Sequence, residues 1–408
     1  MKKTHTWRHM ALLTCVGLSF SASAFAQDKT VRIGVLNDMS GPYVDIGGPN
    51  SVVAVKMAVE DSGLKAKGWK IDVINADHQD KPDVGVSIAR RWIDIEKVDA
   101  IADTQNSGVA LAVSNLVKEK NAVLLNSAGG SPDLTGKACN LNTVSFTYDT
   151  YMLTHGTAKA LTKAGGDTWF LLTVDYTFGH TFERNAANTV TANGGKILGS
   201  VRHPLNTSDF SSFLLQAQSS KAKVIGLANA GTDAINAIKQ ASEFGIVSGG
   251  QKLAALMFFV TDVHALGLKA AQGLSFTESF YWDMNDGTRE WSKRFQKLSP
   301  KGLMPTMIVA GNYAAVLHYL KAMEALGGNP HDGAKVVAKM KEMPVEDPLF
   351  GKGTLRADGR RLFPAYLFEV KKPEESKYPW DYYKLVATIA PEDAAVPLAD
   401  SECPLVKK

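Results

Sequence analysis

The sequence is short of the features that most directly announce a chemistry. Three cysteines occur in 408 residues, too few for a disulfide scaffold or a cysteine-ligated metal. Neither sign of charge prevails: 45 lysines and arginines face 41 acids, for a net charge of +4. That balance argues against nucleic acid, which needs a basic stripe, and no nucleic-acid partner is expected. There is no Walker loop, because Gly47-Gly48 run into Pro49-Asn50 with no lysine behind them. The dinucleotide pattern G-x-G-x-x-G and the nucleophile elbow G-x-S-x-G are missing as well. Histidines at 78, 155, 180, 203, 264, 318 and 331 never fall at ligand spacing on one helix turn. Each reads as a surface or capping residue. The one S-x-x-K, Ser220 to Lys223, sits in a polar helix-to-strand turn, and the sequon Asn206-Thr207-Ser208 is too short to carry weight. No metal, cofactor or covalent nucleophile is expected.

What is present begins with a leader. Lys2, Lys3 and Arg8 precede an apolar run from Ala11 to Phe20, and Ala24-Phe25-Ala26 supplies a small-x-small cleavage pattern. The run is too short to span a bilayer permanently, which takes roughly 20 residues. Cys15 sits within it behind Thr14, a poor context for lipid attachment. The expectation is a signal peptide over 1–26, cleaved after Ala26. Three basic residues leave with it, so the exported chain is nearly neutral. Its length suits two domains of ordinary size. Cys139 and Cys403 remain, and an even count in an exported chain makes a disulfide the default, with two free thiols as the alternative.

Strands and helices alternate along the chain. "VRIGVL", "WKIDVINAD", "VDAIADT" and "AVLLNSA" read as strands, with helical periodicity in "SVVAVKMAVEDSG", "KPDVGVSIARRWIDIEK" and "SGVALAVSNLVKEK" between them. After Cys139 the rhythm restarts through "DTWFLLTVD", "GKILGSVRH", "AKVIGLAN" and "LAALMFFV". The fold class is α/β, with two lobes that each carry a mostly parallel sheet under helices on both faces. Two further helices, near 290–297 and 306–326, precede a hairpin turning at Ala357-Asp358-Gly359 and a last strand in "DYYKLVATIA".

Small polar residues recur just beyond the carboxyl ends of these strands, where open parallel sheets hold ligands. They are Ser40 and Tyr43, Thr104 to Ser107 (including Gln105 and Asn106), and Asn126-Ser127-Ala128-Gly129. In the second half come Tyr176 and Phe178, then Asn229, Gly231 and Thr232. Capping of the next helix would explain any one of them. Five such segments facing one crevice point to a bound ligand.

These residues resemble the leucine/isoleucine/valine-binding branch of the periplasmic solute-binding proteins of ABC importers. "IGVLNDMSGPYVDIGGPNSVVAVKMAVED" is similar to that family's first strand, ligand loop and helix. "LLNSAGGSPDLTG" and "TVDYTFGHTFERN" look like its further cleft segments, and the likeness covers about residues 29–390. The resemblance implies a type I periplasmic-binding fold with a hinge near 145–150, 275–283 and 350–356. Lobe one would be 27–147 with 281–350, lobe two 148–280 with 351–392, and 393–408 a tail tied to lobe one through Cys139 and Cys403. It implies a periplasmic monomer that closes on a small-molecule ligand and docks on a membrane permease. By the same carry-over, Gln105, Asn106 and Ser107 with Ser127, Ala128 and Gly129 surround the ligand carboxylate, and Phe178 is an aromatic shelf.

The chain departs from that pattern where the amino-acid binders hold the ligand ammonium with acids of lobe two. It offers Met257 and Phe258 there, with Asp262 the nearest acid and Asp149 another candidate. Tyr148, Tyr151, Phe178, Phe258, Phe280, Tyr281 and Trp282 form an aromatic set suited to a flat ligand. This constellation looks like the subgroup that takes benzoate or cinnamate derivatives. An aromatic acid is therefore expected ahead of a branched-chain amino acid. An exported enzyme in the same crevice would need an acid–base pair, nucleophile or metal that the sequence does not offer. A sensor reporting to a membrane receptor would use the same two lobes.

Overall fold

The computed structural model describes residues 1–2 and 28–407. The expected leader and its cleavage site fall outside the described residues. The first lobe opens with β1 (Thr30–Asn37), α1 (Gly48–Asp61), β2 (Lys70–Asp77), α2 (Pro82–Asp94) and β3 (Ala100–Asp103). It continues with α3 (Ser107–Lys120), β4 (Val123–Asn126) and β5 (Thr143–Ser145). The sheet order is β2-β1-β3-β4-β5, with every pair parallel and in register from Ile33↔Ala100 and Ala100↔Val123. β3 and β4, "AIAD" and "VLLN", are buried at every position. That follows from helices on both faces of a parallel sheet, which turn strand alternation into continuous apolar runs.

The second lobe contains α4 (Thr150–Lys163), β6 (Thr168–Val174), α5 (Thr177–Ala192), β7 (Lys196–His203) and α6 (Ser211–Ser219). β8 (Val224–Ala228), α7 (Gly231–Glu243), β9 (Lys252–Ala255), α8 (Val260–Leu266), α9 (Leu268–Ala271) and β10 (Ser275–Glu278) follow. The chain then returns to lobe one as α10 (Asp286–Leu298), α11 (Met307–Ala325) and α12 (Gly333–Glu342). α11 is apolar nearly all round and buried accordingly. It is pinned to α1 where Asn312 donates to the Ser51 hydroxyl at 3.2 Å and Tyr313 to Asp61 at 2.8 Å.

Three short strands, β11 (Val345–Asp347), β12 (Gly351–Leu355) and β13 (Arg361–Leu362), make a small antiparallel sheet of their own. Here Arg361 is fully buried, paired with Asp347 at 2.7 Å and flanked by the rings of Phe146, Phe350 and Phe363. Only then do β14 (Ala365–Val370) and β15 (Tyr383–Ile389) join the second sheet, whose order is β15-β14-β10-β9-β8-β6-β7. The last passage between lobes thus comes at 363–364, later than the expected 350–356, because β12 is paired with β11 and β13 with β12. The hairpin turns at Ala357-Asp358-Gly359 as expected and closes between β12 and β13.

The tail runs back from β15 to lobe one, where Cys403 is bonded to Cys139 with their Cα atoms 5.5 Å apart and a sequence separation of 264. Among the described residues no helix is long and apolar enough to cross a membrane.

Candidate functional site

The carboxyl ends of both sheets face each other across one cleft. From lobe one, the loop after β1 is folded around Asp38, whose carboxylate accepts the amides of Ser40, Gly41 and Tyr43 at 2.6–3.1 Å. The turn presents the Tyr43 ring to lobe two. The loop after β3 is strained: Asp103 and Thr104 adopt φ of +84° and +64°, a left-handed conformation that costs a non-glycine residue about 1–2 kcal/mol. Asp103 is fixed by the Asn37 amide at 2.8 Å, and burial pushes its pKa up to about 6. The bend delivers Gln105 to the cleft, where its Oε1 takes the Asp38 amide and its Nε2 donates to the Tyr43 carbonyl. Asn106 caps α3 by accepting the amides of Gly108 and Val109. That leaves the Ser107 amide as one of the helix's orphan donors.

From lobe two, Tyr176 and Phe178 stand at the start of α5 and Ala230 at the start of α7, each just past a buried strand. Together Tyr43, Ile46, Gln105, Ala128, Tyr148, Tyr176, Phe178, Ala230, Met257 and Ile308 line a tight gap of about 10 Å³ between the lobes, room for about one water molecule. Sites for drug-sized ligands begin at 300 Å³ or so. The lobes must part, or the lining side chains give way, before anything larger than water enters.

The lobes meet around this cavity. The Tyr43 and Tyr176 hydroxyls lie 2.8 Å apart, and the Pro42 carbonyl accepts both the Thr232 amide and its hydroxyl, at 3.1 and 3.3 Å. Gly231, with φ +57°, packs against the same carbonyl.

Of the residues picked out from the sequence, Tyr43, Gln105, Ala128, Tyr148, Tyr176, Phe178 and Met257 line the cavity, with Gly231 and Thr232 at its rim. Ser107 and Ser127 are wholly buried beside Gln105 and Ala128, and neither hydroxyl has a hydrogen-bond partner. Asn126 works from behind, taking the Gly129 amide at 2.9 Å and donating to the Gly129 carbonyl.

The others are not brought to the cleft. Ser40 is exposed and donates to Asp77, while Asn229 donates to His203. Asp149 is the cap of α4, accepting the Met152 amide at 2.9 Å, and with Tyr151 it faces a separate depression toward Arg360 and the tail. Asp262 turns back on the Phe259 amide at 3.0 Å within the first turn of α8, and burial raises its pKa to about 8. Phe258 packs on Phe276 in the core, and Tyr281 stacks on Tyr383 while its hydroxyl donates to the Trp380 carbonyl. Phe280 and Trp282 are buried in the same way. Ile46 and Ala230 line the cavity from loops that the sequence marks, whereas Ile308 is a lining residue that sequence reasoning did not single out.

Chemically, the cleft is an apolar box with tyrosine hydroxyls and one amide. Burial raises the pKa of Tyr43, Tyr148 and Tyr176, so all three are neutral phenols at ordinary pH. Among the described residues no group of His, Cys, Asp and Glu is placed to hold a metal.

Comparison with known proteins agrees with this architecture. The family described as periplasmic binding protein matches residues 30–376. A periplasmic binding protein from Burkholderia mallei, solved by crystallography, is 48% identical, with 93% of this chain and 100% of that one covered and a TM-score of 0.89. A branched chain amino acid ABC transporter periplasmic ligand-binding protein from Burkholderia xenovorans LB400 is 44% identical, covering 92% and 100% with a TM-score of 0.81. At 21% identity, a solute binding protein of an ABC transporter from R. palustris, in complex with benzoate, shares the fold over 92% and 99% with a TM-score of 0.81.

Proposed function

The chain belongs to the periplasmic binding protein family, and from that membership we propose that it captures a small aromatic carboxylate for the permease of an ABC importer. One observation carries this reading: the cavity between the lobes has no titratable lining group other than tyrosine. An α-ammonium there would be desolvated without a carboxylate beside it, which is costly. The two acids that might have served, Asp149 and Asp262, are each spent on a helix amide. A ligand carboxylate fares better. It finds the start of α3, where the dipole and the free Ser107 amide favour an anion, with the unpartnered hydroxyls of Ser107 and Ser127 behind it. The rings of Tyr43, Tyr148, Tyr176 and Phe178 suit a flat apolar body. The fold accommodates such a ligand in the benzoate complex of the R. palustris protein.

Capture works by hinge motion about the passages near 145–150, 275–283 and 363–364. The ligand binds the closed arrangement better and draws an existing equilibrium toward it. No bond is made or broken. The leader over 1–26 would deliver the protein to the periplasm.

The second reading, a branched-chain amino acid, is favoured by the description of the Burkholderia xenovorans relative. A thermal-shift screen of protein refolded free of carried-over ligand separates the two. A ligand at 100 times its Kd adds about 2.7 kcal/mol. Stabilisation by benzoates and not by leucine, isoleucine or valine is expected, and the reverse overturns the proposal.

A further inference from the structure

Tyr43 reaches the cleft from the loop after β1 and Tyr176 from the loop after β6, and their hydroxyls meet at 2.8 Å across the lobe junction. Both phenols are held neutral by burial, so both protons are in place. Two hydroxyls carry two protons, and one contact between them uses only one. Among the described residues no other partner engages either hydroxyl. The remaining polar groups of the lining are engaged elsewhere: the Tyr148 hydroxyl donates to the Ala128 carbonyl, and Gln105 bridges Asp38 and Tyr43. The tyrosine pair keeps a donor and several lone pairs uncommitted in a box that is otherwise apolar.

We infer that Tyr43 and Tyr176 are specificity-determining residues, selecting aromatic carboxylates that bear a ring hydroxyl over unsubstituted ones. The inference rests on the aromatic-acid reading of the cleft. A ring hydroxyl accepts the spare proton and returns its own to a phenol oxygen, whereas a bare ring edge offers neither. The pair still satisfies itself when the ring is bare. That limits the discrimination. Sites whose polar groups are left wholly unpaired by the wrong ligand reject it by roughly 10⁴- to 10⁵-fold. Here one net hydrogen bond is at stake, which corresponds to a preference of about three- to tenfold.

Titration calorimetry with benzoate, 3-hydroxybenzoate and 4-hydroxybenzoate tests this on the wild type, the double variant Tyr43→Phe/Tyr176→Phe and Tyr148→Phe. The double substitution also removes a contact between lobes, so the ratio of affinities within one variant is the readout. The wild type is expected to prefer a hydroxylated acid by about three- to tenfold. The ratio should fall to near one in Y43F/Y176F, which has neither hydroxyl, and persist in Y148F. A ratio of one in the wild type, or a preference that survives the double substitution, overturns the inference and leaves the aromatic-acid reading intact. Binding of none of the three acids overturns both. The wild type alone gives a further check should a variant fold poorly, since 4-methylbenzoate matches the hydroxylated acid in size but forms no hydrogen bond. It should bind no better than benzoate, and parity with 4-hydroxybenzoate would mean that size sets the preference and would overturn the inference.

Discussion

Replacing Gly231 by alanine should hold the lobes apart. A Cβ at this position would stand 2.4 Å from the Pro42 carbonyl oxygen and 3.2 Å from the Tyr43 ring. Ordinary contact begins about 1 Å further out than the first of these, so the loop after β1 and the start of α7 must separate by about that much. The displaced carbonyl is the acceptor for the Thr232 amide and hydroxyl, and the next residue makes the Tyr43–Tyr176 contact. Three hydrogen bonds at a net 0.5–1.5 kcal/mol each amount to roughly 1.5–4.5 kcal/mol taken from the closed form. Alanine at positive φ also strains the backbone by about 1–2 kcal/mol, but that strain is present in open and closed forms alike. Gly165, also in lobe two, isolates it: its φ is +93° and nothing lies within 4 Å of a Cβ there. Calorimetry with an aromatic acid that binds the wild type should show Kd weakened by between about ten- and a thousandfold in G231A, and unchanged in G165A. Wild-type affinity in G231A would refute the view that the ligand is held by this closed junction.

Three further outcomes follow from the fold. Cys403→Ser removes a bridge whose ring is long enough that the chain-entropy argument allows up to about 5–6 kcal/mol, with about 2–4 typical of measured bridges. Urea unfolding should show that loss, and a thiol titration of the native unreduced wild type should find no reactive group. Asp262 and Asp80 have pKa values raised by burial to about 8. Their contribution to stability is complete below the unfolded value near 4 and is lost as pH rises toward 8. Asp262→Asn should therefore gain stability relative to the wild type between pH 4 and 8. A constant difference across that range would contradict the assignment. Arg361→Ala strands Asp347 in the buried hinge sheet and should cost about 3–5 kcal/mol in thermal or urea unfolding.

The alternation of strands and helices, the restart after Cys139 and the polar segments at strand ends were legible because each is a local pattern with a local cause. The cleft's exact lining was less so. An acid at a helix start carries the same signature whether it caps the helix or meets a ligand. Asp149 and Asp262 show this, since both spend a carboxylate oxygen on an amide of their own helix. Aromatic residues beyond a strand are ambiguous in a similar way. Met257 and Phe258 are adjacent, yet one faces the cleft and the other packs on Phe276 in the core. Periodicity cannot decide between them once the strand has ended at Ala255. Ile308 was invisible for a different reason. It reaches the cavity from the first turn of α11, far along the chain from the first passage to lobe two, and nothing local marks an isoleucine as lining. The late passage at 363–364 depends on Arg361 being buried among three phenylalanines, a pairing set by tertiary contact.

The most direct test is calorimetric titration of refolded, ligand-free protein with benzoate and with leucine, side by side. The account predicts saturable heat with benzoate or its hydroxylated forms and none with leucine, since no carboxylate lines the cavity. Tight leucine binding without a response to any benzoate would contradict it.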